Sequence, residues 1–260
     1  MTPDWLRPEG LPPEVGACMT TRQGGVSAGR FASLNLGAAV GDESAAVAEN
    51  RRRLGRALGA TPVFLQQVHG ARVVRLRASD AAAGADAPPA VADASLSTEP
   101  GIACTALVAD CLPVLLAAPA GRGVAAAHAG WRGLAGGVLE ATLHALCAAA
   151  ACTPAEVSAW LGPCIGARRF EVGADVLLAF GAAPHGAPQA RFSAREGLAG
   201  KWLADLPGLA RDRLHAAGVR AIAGGSWCTV EDASRFFSFR RDGVTGRMAA
   251  SVWIRPRREG

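Results

Sequence analysis

Val124-Ala125-Ala126-Ala127-His128-Ala129-Gly130-Trp131-Arg132-Gly133 is the stretch from which the fold can be read. Val124 to Ala127 is a short apolar run with glycine just upstream, the length and setting of a buried strand. Beyond the glycine-flanked turn, Leu134 to Ala150 carries Leu134, Val138, Leu139, Thr142, Leu143 and Leu146 at helical spacing on one side. A buried strand that delivers a histidine, a tight turn and a helix starting at once is a unit of α/β architecture. The unpaired N–H groups expected at that helix start, with Arg132 beside them, make a candidate anion site.

The alternation continues outward. Asp42 is placed to cap a helix through Leu58, with Val47, Leu54 and Leu58 on one side and Gly59 as its stop. Val63 to Val68 and Arg72 to Arg77 read as strands around His69-Gly70, and Ile102 to Val108 and Val114 to Ala118 as buried strands. Thr153-Pro154-Ala155-Glu156 is a capping box ahead of a strand at Val157 to Leu161, and Asp205 begins a helix closed by Gly218. Ile222, Cys228, Phe236 to Phe239 and Met248 to Ile254 are strand-like. Ser79 to Ala92, small and proline-containing, reads as a loop, a candidate lid. The 260 residues suit one mixed α/β domain.

Composition prunes the chemistry. The chain has no tyrosine, and its single lysine, Lys201, lacks the Ser/Thr that follows the lysine of a P-loop. A net charge of +5 is mild, and the longest basic run, Arg51-Arg52-Arg53, lies in a helical pattern, so no nucleic-acid surface is expected. No apolar run approaches a membrane span, and MTPDWLRPEG lacks the features of a signal peptide. Seven cysteines without a CxxC pair point to reduced thiols and a cytoplasmic protein.

Three strand ends present reactive side chains: His69 in Gln66-Gln67-Val68-His69-Gly70, Cys111 in Val108-Ala109-Asp110-Cys111-Leu112-Pro113, and His128. Two histidines and a cysteine are the donor class of a catalytic zinc with one open position, although each alone also suits a packed structural residue. His144, His185 and His215 lie in weaker settings, Gly121-Arg122-Gly123-Val124-Ala125-Ala126 precedes a strand and so is no dinucleotide loop, and no GxSxG elbow exists.

QVHG (67–70), ADCLPVLL (109–116), HAGWRG (128–133), LGPCIG (161–166) and FFSFRRDGVTGRMAA (236–250) resemble the signatures of the YfiH-like family. MTTRQGGVSAGRFASLNLG (19–37) and VGDESAAVAENRRRL (40–54) extend the resemblance over nearly the whole chain. The family has carried both purine nucleoside phosphorylase and polyphenol oxidase (laccase) labels. The resemblance implies one domain over residues 1–260, an α/β (α+β) layered αββα-type sandwich with mixed β-sheets, and one zinc held by His69, Cys111 and His128. It further implies phosphorolysis of adenosine, inosine and S-methyl-5′-thioadenosine, and deamination of adenosine. Cys164 and Phe239 depart from the family pattern, where a small residue and a tyrosine are common, and neither belongs to the metal trio.

On that reading the zinc would activate water for deamination, with Asp110 or Asp93 as proton shuttle, and Arg132, Arg51 and the helix start would hold phosphate. The expected partners are purine nucleosides and phosphate, with no nucleic acid or membrane, in a monomer or small homo-oligomer. A multicopper oxidase would consume more histidines than the five present, which leaves copper as an adventitious substitute for zinc. A second rival is an amide hydrolase with Cys111 as nucleophile and His128 as its base, for which the family resemblance implies peptidoglycan precursors as substrates. A purely structural metal site would call for a fourth protein ligand, for which Cys104 is the candidate.

Overall fold

Alanine at alternate positions lets one strand be covered on both faces. Val124 and Ala126 pack between two sheets, whereas Ala125, Ala127 and Ala129 face a layer of helices. In the computed structural model residues 4–82, 88–183 and 190–256 are described. The chain runs β1 (Val15–Met19), α1 (Ser44–Leu58), β2 (Thr61–Val63), β3 (Val73–Arg75), α2 (Ala78–Ala82), β4 (Ala94–Ser97), β5 (Ile102–Val108), β6 (Leu112–Ala117) and β7 (Val124–Ala129). It continues through α3 (Trp131–Ala135), α4 (Val138–Ala150), β8 (Ser158–Leu161), β9 (Glu171–Val172), α5 (Ala174–Ala179), β10 (Phe192–Ala194) and β11 (Trp202–Ala204). α6 (Leu206–Ala216), β12 (Ala221–Gly224), α7 (Phe239–Asp242) and β13 (Met248–Ile254) complete it.

Two mixed sheets carry the fold, ordered β1-β13-β5-β2 and β12-β8-β6-β7-β4-β3, with a small sheet β10-β11-β9 beside them. Period-2 alternation divides each central strand between two cores. In β5, Ile102, Cys104, Ala106 and Val108 face the second sheet, while Ala103 faces outward. Leu115, Ala117 and Trp160 meet them from the other side. Outside the first sheet, Leu54 and Leu58 of α1 pack on Ala103, Ala249 and Trp253. Outside the second, Leu139, Leu143 and Leu146 of α4 and Leu214 of α6 pack on Leu112, Val114 and Leu116. The layers are therefore helix, sheet, sheet, helix, the expected αββα sandwich with mixed sheets. Because both faces of β5, β6 and β7 are buried, their sequences read as unbroken apolar runs.

Several local expectations are revised. The helix expected over Leu134 to Ala150 is two helices, since Gly137 adopts a φ of +87° between α3 and α4. α3 is five residues long, too short for the anion site expected at its start. Asp42 does not cap α1; its carboxylate accepts from Ser27 Oγ and Asn35 Nδ2, and Glu43 takes the N-cap position. The strand expected over Val63 to Val68 stops at Val63. There the chain leaves one sheet for the other, and Gln67 replaces the ladder with its side-chain amide, donating to Leu107 O and accepting from Leu107 N, both at 2.8 Å. Phe236 and Phe237 are buried between the sheets outside any strand, and Phe239 opens α7. Residues 83–87 of the candidate lid, and His185, lie outside the described residues. Among the described residues no helix is long and apolar enough to cross a membrane.

Candidate metal centre

Sheet register brings the candidate ligands together. Antiparallel pairing of β6 with β7 sets Leu112 opposite Ala129 and Pro113 opposite His128, so Cys111 arrives beside the end of β7. On the other side of β7, pairing of Ala94 with Ala127 brings Asp93 alongside His128, whose N–H donates to Asp93 O at 2.7 Å. His69 comes from the crossover between the sheets. The ligand atoms of His69, Cys111 and His128 lie within 4.8 Å of one another, with Cys111 Sγ 3.8 Å from His69 Nε2. His128 is buried, Cys111 half-buried and His69 exposed, so the cluster opens to solvent on the His69 side.

One carboxylate organises this cluster. Asp93, 1% exposed, accepts from His128 Nδ1 at 2.8 Å and from the backbone N–H groups of Val68 (3.1 Å), His69 (2.8 Å) and Gly70 (2.7 Å). The backbone bonds hold His69 at a φ of +60°, a conformation that non-glycine residues adopt only when their surroundings enforce it. The imidazole bond fixes His128 with Nδ1 toward the carboxylate and leaves Nε2 as the nitrogen for the cluster, the arrangement that metal-binding histidines use. Burial pushes the Asp93 carboxyl up, but the His128 bond and the backbone donors outweigh it and hold it below the usual range.

The electrostatics couple Cys111 to His128. Burial pushes the Cys111 thiol up, yet the His128 charge and hydrogen bonds from His128 and His69 bring it down to about 6. Burial lowers His128, whereas the Cys111 thiolate and Asp93 raise it. Gly130 makes room for the cluster, because a Cβ there would lie 2.9 Å from His69 Cδ2 and 3.0 Å from Cys111 Sγ. A soft thiolate and two imidazoles, one oriented by a carboxylate, fit a zinc-type ion and leave its fourth position free of protein ligands among the described residues. Cys104 is not that fourth ligand: it is fully buried between the sheets, and burial pushes its thiol up to about 12.

The remaining candidates occupy different places. Asp110, with a φ of +88°, accepts from Thr229 Oγ1 (2.5 Å), Ser238 Oγ (3.1 Å) and Arg240 N (2.6 Å). With its oxygens so engaged, it ties the segment before β13 to the turn that carries Cys111. Arg132 is exposed, with its guanidinium 4.3 Å from the centre of the Trp131 ring. Arg51 is half-buried, with Nε on Leu36 O at 3.0 Å and its guanidinium 4.0 Å from the Phe64 ring centre. Arg247 was not singled out in the sequence. It precedes β13, whose Met248 pairs with Val108, and that register puts it beside the Asp110-Cys111 turn. Only this long-range pairing distinguishes it from the other arginines.

Comparison with known proteins places the chain among relatives that match it over nearly its full length. A family model described as multi-copper polyphenol oxidoreductase laccase matches residues 16–255. The purine nucleoside phosphorylase PA4543 of Pseudomonas aeruginosa is 50% identical over 256 residues, covering 98% of each chain. The purine nucleoside phosphorylase YfiH of Escherichia coli is 47% identical, again over 98% of each. Among solved structures, Neisseria meningitidis NMB0706 superposes with a TM-score of 0.86 at 42% identity, covering 97% of this chain and 100% of that one. YlmD from Geobacillus stearothermophilus gives a TM-score of 0.89 at 34% identity, covering 98% of both. On sequence and structure alike, the chain belongs to the YfiH-like family, the one whose model carries the laccase description.

Proposed function

We propose that this protein is a zinc-dependent purine nucleoside phosphorylase that cleaves adenosine, inosine and S-methyl-5′-thioadenosine, with deamination of adenosine as a second activity. The observation that carries the reading is the convergence of His69, Cys111 and His128 on one solvent-open point, backed by Asp93, in a chain so similar to proteins named purine nucleoside phosphorylase. Zinc held by these three residues would supply a Lewis acid at the opening of the site. Phosphorolysis breaks the bond between C1′ of the sugar and the purine nitrogen, joins C1′ to a phosphate oxygen and leaves the purine to take up a proton.

This chain's residues divide that work. Asp93 holds His128 in one tautomer and His69 in its strained backbone conformation, so both rings are set before substrate arrives. Both oxygens of Asp93 are committed to hydrogen bonds, which makes it a positioning residue rather than a proton shuttle. All seven cysteines are free thiols, which supports a reducing, cytoplasmic setting.

Chromatography of adenosine incubated with the metal-loaded protein, with and without phosphate, tests the proposal beside Cys111→Ala. Phosphate-dependent adenine and ribose 1-phosphate, lost in the variant, support it; no product from a zinc-loaded preparation counts against it. One observation favours a second reading. The lowered Cys111 thiol beside His128 is also the pair of a cysteine amide hydrolase acting on peptidoglycan precursors. Such an enzyme would survive chelation and be blocked by thiol alkylation, whereas a zinc enzyme stripped of metal recovers only when zinc is returned.

A further inference from the structure

Burial lowers the pKa of three arginines, Arg22, Arg51 and Arg247, and none of them forms an ion pair among the described residues. Arg51 and Arg247 lie over aromatic rings, Phe64 at 4.0 Å and Phe239 at 5.9 Å from guanidinium to ring centre, contacts that offset part of the cost of burying a cation and leave the N–H edges to an anion. Two of the three are tied to the Leu36-Gly37 segment: Arg51 Nε donates to Leu36 O at 3.0 Å, and Leu36 N donates to the main-chain O of Arg247 at 3.0 Å. Gly37 lies close against Arg247, since a Cβ there would sit 2.8 Å from Arg247 Cγ.

Each guanidinium spends little of its donor capacity on the protein. Arg51 uses Nε alone, and Arg247 uses Nη1 alone, on Thr245 O (3.0 Å) and Gly246 O (3.2 Å). The other N–H groups of both have no acceptor among the described residues. Thr245, in the same turn, is buried with its hydroxyl unpartnered. Arg247 directly precedes Met248, which pairs with Val108, so the register carries it to the strand end that leads into Asp110 and Cys111. Capping one carbonyl needs one donor, which glutamine or lysine also offers. Two forked guanidinium groups with spare N–H pairs match the several oxygens of a tetrahedral oxyanion.

We propose that Arg51 and Arg247 form a two-guanidinium clamp for a phosphate dianion beside Cys111. The clamp rests on the phosphorylase reading only for the identity of the anion, the phosphate that attacks C1′. It gives Arg51, expected from the sequence to hold phosphate, a partner 196 positions further along the chain.

The test is calorimetric titration of inorganic phosphate into the metal-loaded protein, the wild type beside Arg247→Gln, Arg51→Gln and the two lysine variants. Metal content and melting temperature are measured on each. The expected result is phosphate binding by the wild type that weakens about tenfold or more in each glutamine variant, with partial recovery in the lysine variants and unchanged metal content. In turnover, KM for phosphate rises by the same factor while KM for nucleoside holds. If a glutamine variant fails to fold, the lysine variant decides, because it keeps the charge but loses the fork. Phosphate affinity within about twofold of wild type in both the Arg51 and Arg247 variants overturns the clamp, as does a wild type that binds no phosphate. A wild type that binds phosphate through these arginines yet cleaves no nucleoside keeps the clamp and removes the phosphorylase reading. Phosphorolysis that is indifferent to both substitutions does the reverse.

Discussion

Asp93 is 1% exposed and Asp110 is 8% exposed, and each stands where a strand of the central layers begins or ends. Asp93 precedes β4 and Asp110 lies in the turn from β5 to β6, where the chain passes from one sheet to the other. Both carboxylates have every oxygen occupied, but the partners differ. Asp93 takes three backbone N–H groups from the 68–70 turn and one imidazole. Asp110 takes two hydroxyls and one backbone N–H, from residues 119 to 130 positions away. A buried carboxylate with an imidazole partner tunes and aims a ligand, whereas one with hydroxyl partners fastens a chain segment. Chemistry read from residue type alone assigns the two the same role.

Removing each carboxylate should separate those roles. Asp93→Ala leaves the His128 ring and three backbone donors without partners in a buried place. Unfolding in denaturant should show a loss of about 3–5 kcal/mol, with metal content well below one per chain. A loss under about 1 kcal/mol would erase the distinction.

Asp93→Asn keeps the shape and loses the charge. Chelator competition should show metal affinity reduced about 10- to 100-fold. The stability gap to wild type should also depend on pH. The Asp93 carboxyl is held below its unfolded value, so its contribution is fully present above about pH 4 and is lost as pH falls through the lowered folded pKa. Wild-type and variant stabilities should therefore run apart at neutral pH and converge in acid; a gap that widened in acid would contradict the geometry.

Asp110→Asn is expected to cost about 1–3 kcal/mol in stability while chelator competition shows metal affinity within about threefold of wild type. A tenfold loss of metal there would make the two carboxylates equivalent after all. The smallest effect belongs to Ser238→Ala, which removes one bond to Asp110 and the cap that Ser238 Oγ offers Arg241 N. It should cost about 1 kcal/mol in thermal or denaturant unfolding and leave metal content untouched.

The sequence was most legible where local pattern and tertiary role coincide. The run from Val124 through His128 and the capping box at Thr153 appear as read, because burial on both faces and local hydrogen bonds leave a direct imprint on composition. Cys111 and His128 could be nominated because strand ends expose side chains. The φ of +60° at His69 leaves no glycine to mark it, since bonds from a residue 24 positions away enforce it. Gln67 standing in for a strand, the break at Gly137 and the placement of Arg247 likewise depend on neighbours distant in the chain. Asp93 was noticed for its acidity, but the histidine that gives it its task is 35 residues on.

β13 lies between β1 and β5, so the C-terminal strand fills the middle of a sheet whose other strands are made much earlier. During synthesis β1 and β5 wait, each with an open edge, until Met248 to Ile254 emerges and joins them. Arg247 and the partners of Asp110 arrive with that same closing segment. A nascent chain cut short before it would hold all three candidate metal ligands and still be a sheet with a slot missing. Such fragments should expose sticky edges to chaperones and proteases. Completion of the candidate site therefore waits for the strand that closes the sheet.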